Sequence, residues 1–198
     1  MSEQLSHFVD EHLAVAQQVR DRMLPAIAHV GRVICAALAG GGRLLLFGNG
    51  GSAADAQHFA AELVGRYRRE RRPLPAVALT TDSSALTCIG NDYDFSAVFA
   101  RQVAALGGPG DVVVGITTSG NSENVVRGLA AAREQGAVTV ALTGEGGGRA
   151  AAAADHALVV PSAVTARIQE MHTLIIHLLC EQIDDWAGGL EAPGSARG

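Results

Sequence analysis

The stretch "LLLFGNGGSAADAQHFAAELVGRYRR", residues 44–69, decides the architecture. Leu44 to Phe47 is a short all-apolar run, as suits a strand covered on both faces by helices. Gly48, Gly50 and Gly51 let the chain turn sharply with its amides bare, and the helix that follows carries His58 and Glu62 one turn apart on one face. That order of strand, glycine turn and helix suits an anionic or sugar ligand. The GxGxxG spacing of a dinucleotide site is not met.

Outward from this stretch the pattern alternates. Strands are expected at 43–47, 76–80, 111–116, 137–142 and 157–160, and helices at 53–67, 83–89, 95–106, 122–135 and 165–186. Strands separated by helices imply parallel pairing. The expected fold is therefore α/β, a three-layer α/β/α sandwich on a mainly parallel five-stranded sheet with its ligand at the carboxyl ends of the strands. Residues 5–39 read as N-terminal helices broken near Pro25; their apolar faces can pack on the sheet or on a second copy of the chain. "GEGGGRAAAAAD", 144–155, reads as a loop and a helical turn, and "GGLEAPGSARG" from Gly188 as a disordered tail, leaving one domain over 1–187.

The composition narrows the function. At 198 residues and 48% hydrophobic side chains the chain holds one full core, and a net charge of -5 offers no field for gripping a nucleic acid backbone. The five arginines between Arg66 and Arg72 read as a solvated helix end and loop. Cys35, Cys88 and Cys180 are few and odd in number, as expected of reduced, core-packed thiols in a cytoplasmic protein. No signal-peptide pattern and no membrane-length apolar run is present.

Two loops could carry a ligand. In "FGNGGSA" Asn49 and Ser52 offer side-chain hydrogen bonds, although Ser52 could equally cap the next helix. In "VVVGITTSGNSENVVRGL", from Val112, the hydroxyls of Thr117, Thr118, Ser119 and Ser122 converge with first-turn amides at a helix start. This is a cradle for a phosphate monoester, and without a P-loop lysine it does not suit a nucleoside triphosphate. The last helix is apolar on nearly every side, so His177 is expected inside and in need of a partner. His58, Glu62, Gln169 and His177 are nitrogen and oxygen donors of the kind zinc accepts. Gln169 and His177 stand eight residues apart, about 12 Å along a helix, so a shared ion needs long reaches or two chains.

"GNGGSAADAQHFAAELVGRYR", "CIGNDYDF", "ITTSGNSENV" and "RIQEMHTLIIH" together resemble the sedoheptulose-7-phosphate (phosphoheptose) isomerases of the sugar-isomerase (SIS) superfamily, over residues 5–187. The resemblance implies a homotetramer with interfacial active sites that converts D-sedoheptulose 7-phosphate to D-glycero-D-manno-heptose 7-phosphate, the first step toward ADP- or GDP-heptose. It implies that Asn49, Gly50, Gly51, Ser52, Asn91 and Asp92 hold the sugar, with Glu62 and Gln169 also touching substrate, and that Thr117, Thr118, Ser119 and Ser122 hold the phosphate. It further implies one zinc ion per subunit on His58, Glu62, Gln169 and His177, with Glu62 and His177 as the acid-base pair. One position departs: some members carry an aspartate before the arginine of "RIQE", where this chain has Ala166, which affects a secondary sugar contact. The alternatives are a non-enzymatic relative resembling DiaA, which binds the replication initiator DnaA, and an isomerase of another sugar phosphate. Such non-enzymatic proteins depart at the catalytic glutamate and last histidine, both of which stand here as Glu62 and His177.

Overall fold

The computed structural model describes residues 2–190. Two helices, α1 (Ser2–Arg22) and α2 (Leu24–Ala39), precede β1 (Leu44–Gly48), α3 (Gly51–Val64), β2 (Ala76–Ala78) and α4 (Ser83–Asp92). A 3-10 turn at Phe95–Ala97 leads into α5 (Val98–Leu106), followed by β3 (Val112–Thr117), α6 (Glu123–Glu134), β4 (Val138–Thr143), α7 (Gly148–Ala153), β5 (His156–Val159) and α8 (Thr165–Leu190). All five strands are parallel, in the order β2-β1-β3-β4-β5, as expected from the alternation.

Strand periodicity sorts the core into two layers. Leu44, Leu46, Val112, Val114, Ile116, Val140 and Leu142 point toward α2, α3 and α8, whereas Leu45, Phe47, Val113 and Ala141 point toward α5, α6 and α7. The helix leaving β1 thus covers one face and the helix leaving β3 the other. β1 and β3 are neighbours, so the crevice between their carboxyl ends is the topological switch point where such sheets bind ligands.

α2 packs on the sheet through Ile27, Val30, Ile34 and Leu38. The first half of α1 does not: Leu5, Phe8, Val9 and Leu13 are each more than half exposed along one face. Three expectations need correction. α8 runs through Gly188 and Gly189 to Leu190, because Ala187 is buried and the Arg69 side chain lies over Gly188; the rest of the expected tail is outside the described residues. Cys88 is exposed and donates to the Asp92 carboxylate, whereas Cys35 and Cys180 are buried as expected. The arginine cluster is not merely solvated. Arg71 is buried on Asp184, Arg68 and Arg69 pair with Glu181 and Asp185, and Arg72 lies over the Trp186 ring.

The second layer leaves no room at Gly128, where a Cβ would stand 2.6 Å from the Phe47 ring, itself stacked on Phe99. Overpacking there costs about 1–3 kcal/mol, and the better helix propensity of alanine returns about 1. Gly128→Ala is therefore expected to lower stability by up to about 2 kcal/mol, read as a lower urea midpoint at unchanged m.

Candidate active site

The site is built on two parallel helices whose residues meet in register. Gly51, at the start of α3, faces Gln169 of α8: a Cβ added there would stand 2.4 Å from the Gln169 amide nitrogen. One turn on, the Thr173 hydroxyl donates to Asp55 Oδ1 at 3.1 Å. At the next step His58 Nε2 lies 2.8 Å from His177 Nε2, the N–H of one ring donating to the bare nitrogen of the other. The other nitrogen of His58, Nδ1, faces Glu62 Oε1 at 3.7 Å. Glu62, His58 and His177, 119 residues away from His58 in sequence, therefore form one polar line. Tyr67 lies against the His177 ring with centroids 5.5 Å apart.

His58, Glu62 and His177 are each half-buried, open enough to meet a ligand. His177 is less enclosed than expected, and the fully buried histidine of α8 is His172. Its Nε2 donates to the Thr143 carbonyl, and burial pushes its pKa down to about 4 despite that bond, so it is neutral near pH 7. Asp55 is also partly withdrawn from water, and burial raises its carboxyl above the usual value against the opposing Thr173 hydrogen bond.

The first ligand loop matches its sequence reading with one correction. Gly50 has φ +55°, which favours glycine, and α3 begins at Gly51 without a side-chain cap. Ser52 is buried inside the first turn and is not the cap. Asn49 and Gly50 line a cavity of about 140 Å³ with Gly48, Ala53, Thr80, Leu86, Phe95 and Phe99. A larger groove of about 570 Å³ runs along β2 beside Pro73 and Pro75; Arg43 is the one titratable residue among the described residues of its lining, which includes none of these polar groups.

The second loop is also arranged for a ligand. Ser122 precedes α6 but makes no capping bond; its hydroxyl lies 3.1 Å from that of Thr117, which in turn lies 3.5 Å from that of Ser119. Gly120 has φ +68° and lies against Gly147 and Gly148, while the Ala150 amide donates to its carbonyl. Thr118 is tied from behind by the Gly144 amide. First-turn amides of α6 and hydroxyls thus share one end of the sheet, where the helix dipole favours an anion.

Two expected groupings are not reproduced. Asn91 and Asp92 end α4, which runs three residues past its expected limit; they are exposed, bonded to each other, and do not line the cavity. The four expected zinc ligands do not form one set within a chain: among the described residues no cluster of three or more His, Cys, Asp and Glu is spaced to hold a metal, and Gln169 stands two turns from His177. The donors of the central line still suit zinc in kind. His58 and His177 already turn their Nε2 atoms toward each other at 2.8 Å, as two donors to one ion would.

Missed by sequence reasoning were Tyr67, which lies against His177, Thr173, which ties α8 to α3 through Asp55, and Asn124, whose amide pairs with that of Asn49. The only sequence signal for Thr173 is its place one turn before His177.

Against known proteins, the model of the SIS domain family matches residues 7–144. A phosphoheptose isomerase of Aquifex aeolicus is 60% identical over 159 residues, covering 80% of this chain and 83% of that protein. Among solved structures, phosphoheptose isomerase GmhA from Neisseria gonorrhoeae superposes with a TM-score of 0.88 at 47% identity, covering 93% of this chain and 98% of the other. A phosphoheptose isomerase from Francisella tularensis gives 0.90 at 40% identity, covering 92% and 97%.

Proposed function

Because the chain belongs to the phosphoheptose isomerases of the SIS domain family, we propose that it interconverts D-sedoheptulose 7-phosphate and D-glycero-D-manno-heptose 7-phosphate through an enediol, with Glu62 and His177 as the proton-transfer pair. It is an isomerase acting on a sugar phosphate. The observation that carries the assignment of roles is the line Glu62–His58–His177, set on the helix that starts at the sugar loop.

Aldose-ketose isomerisation needs a base for the carbon-bound proton, stabilisation of the enediolate, and an acid for the oxygens. The phosphate sits on Thr117, Thr118, Ser119, Ser122 and the first-turn amides of α6. The sugar runs across Asn49, Gly50, Gly51 and Gln169 toward the other end of the line. One of Glu62 and His177 takes the C1 proton of the ketose and returns it at C2; the other moves the proton between O1 and O2. His58, between them, holds both in reach.

Zinc belongs to the same proposal: His58 and His177 would hold it, whereas Glu62, which faces the other ring nitrogen of His58, and Gln169, two turns from His177, would join them only from other rotamers or from a second copy of the chain. A bound Zn²⁺ supplies Lewis acidity that favours the enediolate charge. We likewise place a homotetramer here, supported by the apolar stripe Leu5, Phe8, Val9 and Leu13 on α1, and a cytoplasmic setting that keeps the thiols reduced. No helix among the described residues is long and apolar enough to cross a membrane.

The test is turnover of sedoheptulose 7-phosphate by the purified protein, followed by proton NMR, before and after chelation and after zinc is restored. The expected result is an aldoheptose 7-phosphate product, lost on chelation and regained with zinc. Activity indifferent to chelation would remove zinc from the scheme, and a folded protein without product would remove this substrate.

A further inference from the structure

A pair of side-chain amides crosses the crevice between the two ligand loops. Asn49 follows β1, and Asn124 is the second residue of α6, only 4% exposed. Asn49 Nδ2 donates to Asn124 Oδ1 at 2.9 Å, and Asn124 Nδ2 donates to Asn49 Oδ1 at 2.8 Å. The β1–β3 ladder ends with Gly48 opposite Ile116; beyond that last rung this closed ring of two hydrogen bonds ties the loops together. It lies at the switch point, with the helix carrying Glu62 leaving on one side of the sheet and the helix behind the phosphate cradle leaving on the other.

Each amide in such a pair uses one N–H and one oxygen lone pair, so each keeps one of both. Asn49 lines the cavity, and Asn124 therefore dictates which way the remaining N–H and lone pair of Asn49 face. We propose that Asn124 is a positioning residue for the isomerisation. Its reciprocal pair with Asn49 sets the separation between the phosphate cradle and the sugar loop, so that a seven-carbon ketose held by its phosphate brings C1 and C2 to Glu62 and His177. This rests on the function proposed above and adds a residue whose side chain touches neither the phosphate nor the reacting carbons.

The pair allows a test that plain packing would not answer. In Asn124→Asp the ionised carboxylate still accepts from Asn49 Nδ2 but sets its second oxygen against Asn49 Oδ1, whereas the protonated acid both donates and accepts and restores the ring. Turnover of sedoheptulose 7-phosphate is measured from pH 5 to 8 as the ratio of variant to wild type, which cancels the titrations common to both proteins. Neighbouring Glu123 stays ionised in this range, held below the usual carboxylate value by the hydrogen bonds of Arg149 and then Arg127.

At pH 8 the ratio of kcat is expected to be about 10⁻², the scale of a 1 Å misplacement, with KM little changed because the phosphate cradle is intact. The ratio should climb toward one as the pH falls, while Asn124→Ala shows the loss without recovery. A ratio flat with pH, or normal kcat in Asn124→Ala alongside a lower melting temperature, would overturn the proposal in favour of a merely structural pair. If Asn124→Ala does not fold, the Asn124→Asp profile alone decides. A wild type without turnover would instead count against the substrate, and the same pH series would then be read on sedoheptulose 7-phosphate binding by calorimetry, with recovery or a flat ratio carrying the same meanings.

Discussion

Glu62→Gln and His177→Gln are each expected to lower kcat on sedoheptulose 7-phosphate by about 10²–10⁴-fold, the usual contribution of a positioned acid or base, with substrate binding largely kept. Glu62→Gln nearly preserves shape, and His177→Gln keeps a donor and an acceptor near the ring's place. Because both residues are also proposed zinc donors, metal content is measured alongside, and a loss at unchanged zinc content isolates proton transfer. The phosphate cradle lies across the crevice in β3 and α6 and touches neither side chain through any bond of the line. Because the two residues act as one relay, the double variant should fall little below the worse single one. Single-turnover kinetics with the C1-deuterated ketose checks the assignment: an isotope effect that is kept or grows in one variant marks the residue facing carbon, whereas one that shrinks marks the residue serving the oxygens, whose transfers have then become limiting. Near-normal rates in either variant would remove that residue from the scheme.

The largest expected effect on stability comes from the buried pair of Arg71 and Asp184, whose side chains are 1% and 2% exposed. Such charges are tolerable only when every group is satisfied. Asp184 accepts from Arg71 Nε and from the Arg68 and Arg69 amides, while the rest of the guanidinium donates to the carbonyls of Glu62, Leu63, Gly65 and Arg72. Asp184→Asn removes the charge and turns an amide group toward donors, at an expected cost of about 3–5 kcal/mol, measured by urea unfolding. Burial opposes ionisation of Asp184, but the Arg69 and Arg68 amides and the Arg71 guanidinium outweigh it and hold its carboxyl below the usual value. A depressed folded-state pKa contributes stability that is present above the unfolded value, near 3.9, and lost as the pH falls through the folded value. Acid unfolding of the wild type should therefore draw on this group below about pH 4, and Asp184→Asn should flatten that part of the pH–stability curve.

The sheet was legible because local pattern carries it: five apolar runs, each bounded by glycine or polar residues, can hardly be anything but covered strands. The ligand loops were legible for a similar reason, since their glycines and hydroxyls lie next to one another in sequence. What escaped depends on contacts between distant segments. Nothing near His58 names His177 as its neighbour, and an asparagine in a first helical turn reads as an ordinary helix start, not as half of a bridge. Arg71 looked wet because its run is charged, and only the return of α8 supplies the carboxylate that buries it. The separation of Gln169 and His177 was legible from their eight-residue spacing, but which residue of α3 each one faces is a tertiary fact.

That spacing places a constraint on chain length. Gly51, Asp55 and His58 meet Gln169, Thr173 and His177 like teeth of two combs laid side by side. Deleting or adding one residue within either row would turn everything beyond it by about 100° and carry the later teeth out of mesh together. Side chains in these spans can be exchanged one at a time, but the number of residues between the teeth cannot. The turn from Gly144 to Gly148 is held as well, against Thr118 and Gly120, so room to lengthen is left only at its exposed tip, Glu145 and Gly146.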